Sequence, residues 1–298
     1  MISKLSEVVD MAKAKRKRRI AVAAAGDMDV LMALKNASEA GIAEPVLVGQ
    51  KDLIVEIGKE IDFDCSKYEI INITDRFEAS LQASQLIREG RADILMKGLV
   101  STGQLLKAVL HKDHGLRTGN VLSHVAIFES PYYHKLLGIT DAAMNVSPTF
   151  EEKIDLINNA VKVFHLLGEP NPKVAVVGAV ETVNMRMEST MHAATLSMMN
   201  KRQQITGCTI DGPLALDNAI SKKAAKIKGI ESDVAGNVDI VVAPDINGAN
   251  FLYKALNFLG GAQTAAVIMG AKVPIVLTSR ADSEKSKFLS ISLAAAIG

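Results

Sequence analysis

The chain has 298 residues, enough for one large or two medium α/β domains. Hydrophobic residues make up 48% of it, with no biased tract, which excludes a disordered chain. No apolar run reaches the roughly 18 residues of a membrane helix, and a net charge of +1 gives no general drive toward nucleic acid or a membrane surface.

The first residues, Met1 to Glu7, lack the apolar core of a signal peptide, so a cytoplasmic protein is expected. Cys65 and Cys208 are far apart and lie in no CxxC pattern, as expected of inert core thiols in a reducing compartment. Residues 1–19 read as an amphipathic helix ending in Lys13, Lys15, Arg16, Lys17, Arg18 and Arg19. Such a cluster is either a nucleic-acid patch or a solvated helix end. No second basic patch or aromatic platform follows, which favours the helix end.

Residues 20–27 read as a strand and a turn, followed by a helix over 28–40 that Gly41 ends. Strands are expected at 46–49 and 70–73, and a helix at 76–89. This βαβα alternation predicts a parallel sheet with helices on its faces. The next unit is the strand Ala92–Met96, then Lys97, Gly98, Leu99, Val100, Ser101 and Thr102 at the start of a helix over 102–111. Lysine there supplies a mobile charge, and glycine lets the backbone approach a ligand. The alternative is a tight turn with an exposed lysine. His111 and His114 could form a metal pair, but no third ligand lies nearby. Residues 115–119 look like an exposed loop and a candidate hinge.

Further strands are expected at 125–128 and 174–178, and long helices at 149–167 and 187–203. The second helix carries Met187, Met191, Met198 and Met199 at helical spacing, which suits either core packing or a dimer interface. Residues 205–218 read as a strand, an Asp211-Gly212-Pro213 turn and a helix start. The strand Val238–Ala243 leads into a loop carrying Asp245, Asn247 and Asn250, then a helix over 251–259. Last come the apolar run Val273–Leu277, the polar stretch Thr278-Ser279-Arg280-Ala281-Asp282-Ser283, and a helix from Glu284. A strand end, a helix N-terminus and an arginine fork together suit an oxyanion. An ordinary turn, capped by Ser283 or Asp282 with Arg280 in solvent, is the alternative.

Several strands thus finish in small, polar, ligand-competent loops. There is no G-x-G-x-x-G fingerprint after the first strand, no P-loop, no zinc cluster and no G-x-S-x-G elbow. Residue patterns alone lead to an α/β enzyme with a basic, hydroxyl-rich anion site and no built-in redox motif.

Four segments read together resemble the phosphate acetyl/butyryltransferase family: Met96–Gly103, Asp211–Pro213, Ala243–Asn250 and Leu277–Ser283. The K-G-L-V-S-T-G-Q-L-L and L-T-S-R-A-D-S versions look most like phosphate butyryltransferase. The resemblance implies a two-domain α/β fold with mostly parallel sheets, similar to isocitrate/isopropylmalate dehydrogenase, with an interdomain cleft. The first domain would be 1–121 plus 264–298, the second 122–263, in a homodimer. It implies exchange of an acyl group between CoA and inorganic phosphate, with acyl-CoA and phosphate as substrates, no tightly bound cofactor, no metal, and no nucleic-acid or membrane partner. Ser279 and Arg280 match the family's phosphoryl-holding pair. The acetyl enzymes place a thiol-activating aspartate farther along, where this chain has Lys285-Ser286-Lys287; Asp282 is the expected substitute. Lys107 is the expected counterpart of an arginine after the first cleft loop. Lys97, Gly98, Ser101, Thr102, Asp211, Asp245, Asn247, Asn250 and Lys285 complete the expected phosphate and CoA contacts. Transfer would be direct, the CoA thiolate attacking the acyl carbonyl as phosphate leaves, because neither cysteine has a partner histidine. The alternatives are phosphate acetyltransferase, a metal- and NAD-dependent hydroxyacid dehydrogenase, which would need a carboxylate cluster, and a non-catalytic CoA or acyl-phosphate sensor.

Overall fold

The computed structural model describes residues 2–278 and 282–298. They pack as two units: Ser6–Asn120 with Ala265–Gly298, and Val121–Thr264 with the N-terminal residues through Leu5.

The unit that carries most of both chain ends begins with α1 (Leu5–Ala14), β1 (Arg18–Ala23), α2 (Met28–Glu39), β2 (Ala43–Gly49), α3 (Lys51–Glu60), β3 (Glu69–Asn72), α4 (Arg76–Arg88), β4 (Ile94–Lys97) and α5 (Thr102–Val109). The middle unit holds β5 (Ser123–Glu129), β6 (Leu137–Thr140), α6 (Phe150–Leu166), β7 (Lys173–Val177), α7 (Glu188–Lys201), β8 (Thr209–Leu214), α8 (Leu216–Ile220), α9 (Lys222–Ile227), β9 (Ile240–Val242) and α10 (Ile246–Phe258). The chain closes with β10 (Gln263–Met269), β11 (Ile275–Val276) and α11 (Glu284–Ile297).

In the terminal unit the strands lie in the order β3-β2-β1-β4-β11-β10. All neighbours are parallel except β10 with β11. The chain runs outward from β1 to β3, then returns to the other side of β1 as β4, so strand order reverses between β1 and β4. Ligands of open parallel sheets bind outside the carboxyl ends of the strands at such a switch point. The sheet core is apolar throughout: Ile20, Leu47, Ile94, Leu95 and Met96 are fully buried, each stabilising by about 1.5–3 kcal/mol. In the middle unit the order is β5-β6-β9-β7-β8, parallel except for the β5–β6 pair.

The structure corrects four expectations. The first helix ends at Ala14, and Arg18 and Arg19 open β1 rather than extending it. The basic cluster finds internal partners there: Arg16 pairs with Asp93, Arg19 with Glu69, and Arg18 donates to the Gly298 carbonyl. A helix absent from the sequence reading, α3, fills residues 51–60. Asp211-Gly212-Pro213 is no turn but lies inside β8. Proline is tolerated because β8 is an edge strand, with its register to β7 shifting at that point. Finally, α10 begins at Ile246, five residues before the expected start, because Asp245 caps it by accepting from the Gly248 N–H at 2.9 Å. Gly248, a poor helix former, made this first turn look like loop.

Candidate functional site

The carboxyl ends of β1 and β4 meet closely. The N–H groups of Gly98 and Leu99 donate to the carbonyls of Ala23 and Ala24 at 2.8 and 2.6 Å. A Cβ on Gly98 would collide with the Ala24 carbonyl oxygen, so only glycine fits this crossing. Lys97 is thereby the last residue of a buried strand, 7% exposed, and its Nζ donates to the Gly98 and Val100 carbonyls at 3.2 and 3.3 Å.

A small cavity opens beside it, lined by Asp27, Asp29, Lys97, Gly98, Thr278 and Lys287, with Val30 and Leu99. Three helices start around this region. Asp27 caps α2 by accepting from the Val30 N–H at 3.0 Å. Ser101 caps α5 by accepting from the Gln104 N–H at 3.2 Å. Ser283, not Asp282, caps α11 by accepting from the Ser286 N–H at 3.1 Å. Their N-termini contribute positive dipole ends, and two buried lysines add full charges.

Of the expected contacts, Lys97 and Gly98 line this cavity. Ser101 and Thr102 stand at the start of α5. Lys107, farther along α5, is exposed and sits 5.1 Å above the Phe77 ring. Lys285 is exposed on the first turn of α11, and Asp282 accepts a hydrogen bond from Lys287 Nζ on its carbonyl at 2.6 Å. Ser279 and Arg280 lie outside the described residues; Thr278, which immediately precedes them, is buried and lines the cavity.

The remaining expected residues belong to the middle unit. Asp211 sits on β8, its carboxylate accepting from the neighbouring Gly212 N–H at 2.8 Å. Asp245, Asn247 and Asn250 fall in the first turns of α10. This helix start is tied to the end of β6: Asn250 Nδ2 donates to the Ala142 carbonyl at 3.0 Å, and the Ile246 N–H to that of Val146 at 3.1 Å. Asn145 in the same loop donates to Asp141 at 2.6 Å. Close by, Lys153 is buried with its Nζ 3.0 Å from His192 Nδ1. Burial lowers the Lys153 pKa against the opposing charges of Glu188 and Asp245.

Asp27 and Asp29 were absent from the expected set, and Lys287 figured there only as part of the Lys285-Ser286-Lys287 stretch. Lys287 had a legible signal: with Ser290, Ile291 and Ala294 it occupies the i, i+3, i+4, i+7 face of α11, and all four are buried. Asp29 carried no such signal, because its partner is remote in sequence. Burial pushes both thiols up, to about 11 for Cys65, where the Asp64 charge adds to it, and to about 11 for Cys208. Neither is a ready nucleophile at neutral pH. Among the described residues no group of three metal-ligating side chains assembles, and no helix is long and apolar enough to cross a membrane.

Comparison with known proteins adds independent findings. A sequence family described as phosphate acetyl/butaryl transferase matches residues 3–80 and 74–295. The chain is 46% identical over 297 residues to a phosphate butyryltransferase of Clostridium acetobutylicum, covering 100% of this chain and 99% of that one. It is 48% identical over 291 residues to a phosphate acetyltransferase of Thermotoga maritima, covering 98% of each. Among solved structures, a branched-chain phosphotransacylase from Enterococcus faecalis V583 superposes with a TM-score of 0.82 at 32% identity, covering 94% of this chain and 98% of that one.

Proposed function

We infer that this chain, which belongs to the phosphate acetyl/butaryl transferase family, is a phosphate acyltransferase that interconverts acyl-CoA plus phosphate with acyl phosphate plus CoA. The observation that carries this at the site is the shared cavity of Lys97, Gly98 and Thr278 at the β1–β4 switch point, with Ser279-Arg280 next in sequence.

Toward acyl phosphate, a phosphate oxygen attacks the thioester carbonyl, the carbon–oxygen bond forms, and the carbon–sulfur bond breaks to release the CoA thiolate. In reverse, the thiolate attacks and phosphate leaves. Phosphate carries its charge throughout, so catalysis rests on neutralisation and positioning. In this proposal Arg280 and Lys97 hold the phosphoryl oxygens, and Ser279 with backbone N–H groups stabilises the carbonyl oxyanion. Ser101 and Thr102 would add hydroxyl and helix-start contacts. Asp282 would take the CoA thiol proton, and Lys107 and Lys285 would meet the CoA phosphates. Asp211, Asp245, Asn247 and Asn250 would serve as further polar contacts to the substrates. The raised thiol pKa values support direct transfer rather than a cysteinyl intermediate. CoA and phosphate are co-substrates, no tightly bound cofactor is called for, and the enzyme is proposed to be cytoplasmic.

Butyryl is the proposed acyl group, from the K-G-L-V-S-T-G and L-T-S-R-A-D-S segments. The test is thiol release from acetyl-, propionyl-, butyryl- and isobutyryl-CoA with phosphate. Butyryl-CoA should give the highest kcat/KM; preference for acetyl-CoA would reverse the chain-length assignment, and no thiol release from any of them would reject the transferase. A homodimer is proposed with it, the exposed side of α7 as its face.

A further inference from the structure

Lys287 is the cation that the proposed mechanism does not use. Its side chain is 4% exposed, although it stands in the first turns of α11. Both features oppose a lysine. An ammonium is costly to bury, and the positive end of a helix dipole repels a cation. Ordinary helix energetics would place an acid there, as Glu284 is placed.

Two groups compensate it. Nζ lies 3.3 Å from Asp29 Oδ2 and donates to the Asp282 carbonyl at 2.6 Å. The ion pair is lopsided, since the Asp29 side chain is 57% exposed. A lysine serving only to tie α11 to α2 would gain as much by reaching solvent, where such pairs contribute ~0–1 kcal/mol. Instead its side chain is buried and lines the cavity that Lys97, Gly98 and Thr278 also line. Apart from Lys97, the lysines expected at the site do not share that position: Lys107 stacks over Phe77, and Lys285 is exposed.

We propose that Lys287 is a further phosphate-binding cation, contacting the phosphoryl oxygens beside Lys97, and that Asp29 is its positioning residue. A buried ammonium next to the N-termini of α2 and α11 becomes favourable once a dianion occupies the cavity, because the anion gains charge-assisted hydrogen bonds from it. The identification of the anion as phosphate rests on the acyl-transfer function proposed above.

The experiment uses the full chain and the variants Lys287→Met, Lys287→Arg and Asp29→Asn. Binding of inorganic phosphate is measured by calorimetry, and KM for phosphate and for butyryl-CoA by thiol release. Lys287→Met should weaken phosphate binding and raise its KM roughly tenfold or more, the loss of one charge-assisted bond. The KM for butyryl-CoA should stay within about threefold. Lys287→Arg should recover part of the loss, and Asp29→Asn should raise the phosphate KM with less effect on kcat. A folded Lys287→Met enzyme with wild-type phosphate affinity would overturn the proposal. So would equal rises in both KM values, the mark of a structural tie. If Lys287→Met does not fold, Lys287→Arg and Asp29→Asn decide: wild-type phosphate KM in both overturns it. A wild-type chain that releases no thiol yet binds phosphate in a Lys287-dependent way would sink the acyl-transfer function and leave this site standing.

Discussion

Lys287 on α11 and Asp29 on α2 form an ion pair at 3.3 Å across 258 positions of sequence. The pair joins the last helix to the second beside the end of β4, where Lys97 is also buried. Both ammonium groups line one cavity, together with the carboxylates of Asp27 and Asp29. In a phosphate-binding role the same arrangement is preorganised for a dianion.

Arg280→Gln should lower kcat/KM for phosphate by roughly two orders of magnitude or more, as expected for a charge-assisted contact used in the transition state. Thermal stability should be almost unchanged. Steady-state kinetics at varied phosphate check this, and wild-type values would remove Arg280 from the site.

Asp282→Asn separates a base from a structural aspartate more cleanly than the sequence suggested, because Ser283 already caps α11. With Asp282 as the base, kcat should fall by ~10²–10⁴ and recover partly at alkaline pH, where free thiolate rises. A rate within a few-fold of wild type across the pH profile would assign thiolate formation to the lysine-rich start of α11 instead.

The double variant Cys65→Ala, Cys208→Ala should keep kcat within about threefold, since direct transfer needs neither thiol. Loss of a butyryl-enzyme adduct together with activity, read by mass spectrometry after acyl-CoA without phosphate, would point to a covalent route.

His192 gives a stability prediction. Burial first, and then the neighbouring Lys153 ammonium, hold its pKa below the ordinary value. Protonation is therefore harder in the folded chain than in the unfolded one. The stabilising contribution is complete above the unfolded value of about 6.5 and is lost as pH falls through the lower folded value. Unfolding scans should show Tm dropping below about pH 6.5, and His192→Asn should flatten that slope. An unchanged slope would show that other groups set the acid limit.

The homodimer is tested by sedimentation at micromolar concentration. Met191 and Met198 on α7, the first half-buried and the second half exposed, are the proposed contact. A monomeric wild type would reject the dimer; a dimer that survives Met198→Glu would move the interface elsewhere, with the exposed Phe251 and Phe258 of α10 the next surface to vary.

What the sequence determined by itself was local. The alternation of apolar runs with amphipathic stretches gave the α/β class, since both periods are set by neighbouring residues. Loops such as Lys97–Thr102 announced themselves through glycine, lysine and hydroxyls at strand ends, and the four quoted segments carried the family. Failures were local where one signal masked another: Gly248 hid the start of α10, and Pro213 hid the end of β8 until the edge position of that strand explained it. Only the tertiary structure decided which charges share a cavity. Strand order brings β4 between β1 and β11, and that order, with the packing of α2 on α11, sets Lys97 near Asp29 and Lys287. Neither helix periodicity nor spacing along the chain encodes a contact between residues 29 and 287, because it arises from the pairing of strands and the packing of α2 on α11. Burial worked the same way: Lys285 and Lys287 are two residues apart in one helix, yet the helix turn exposes the first and buries the second against the sheet edge.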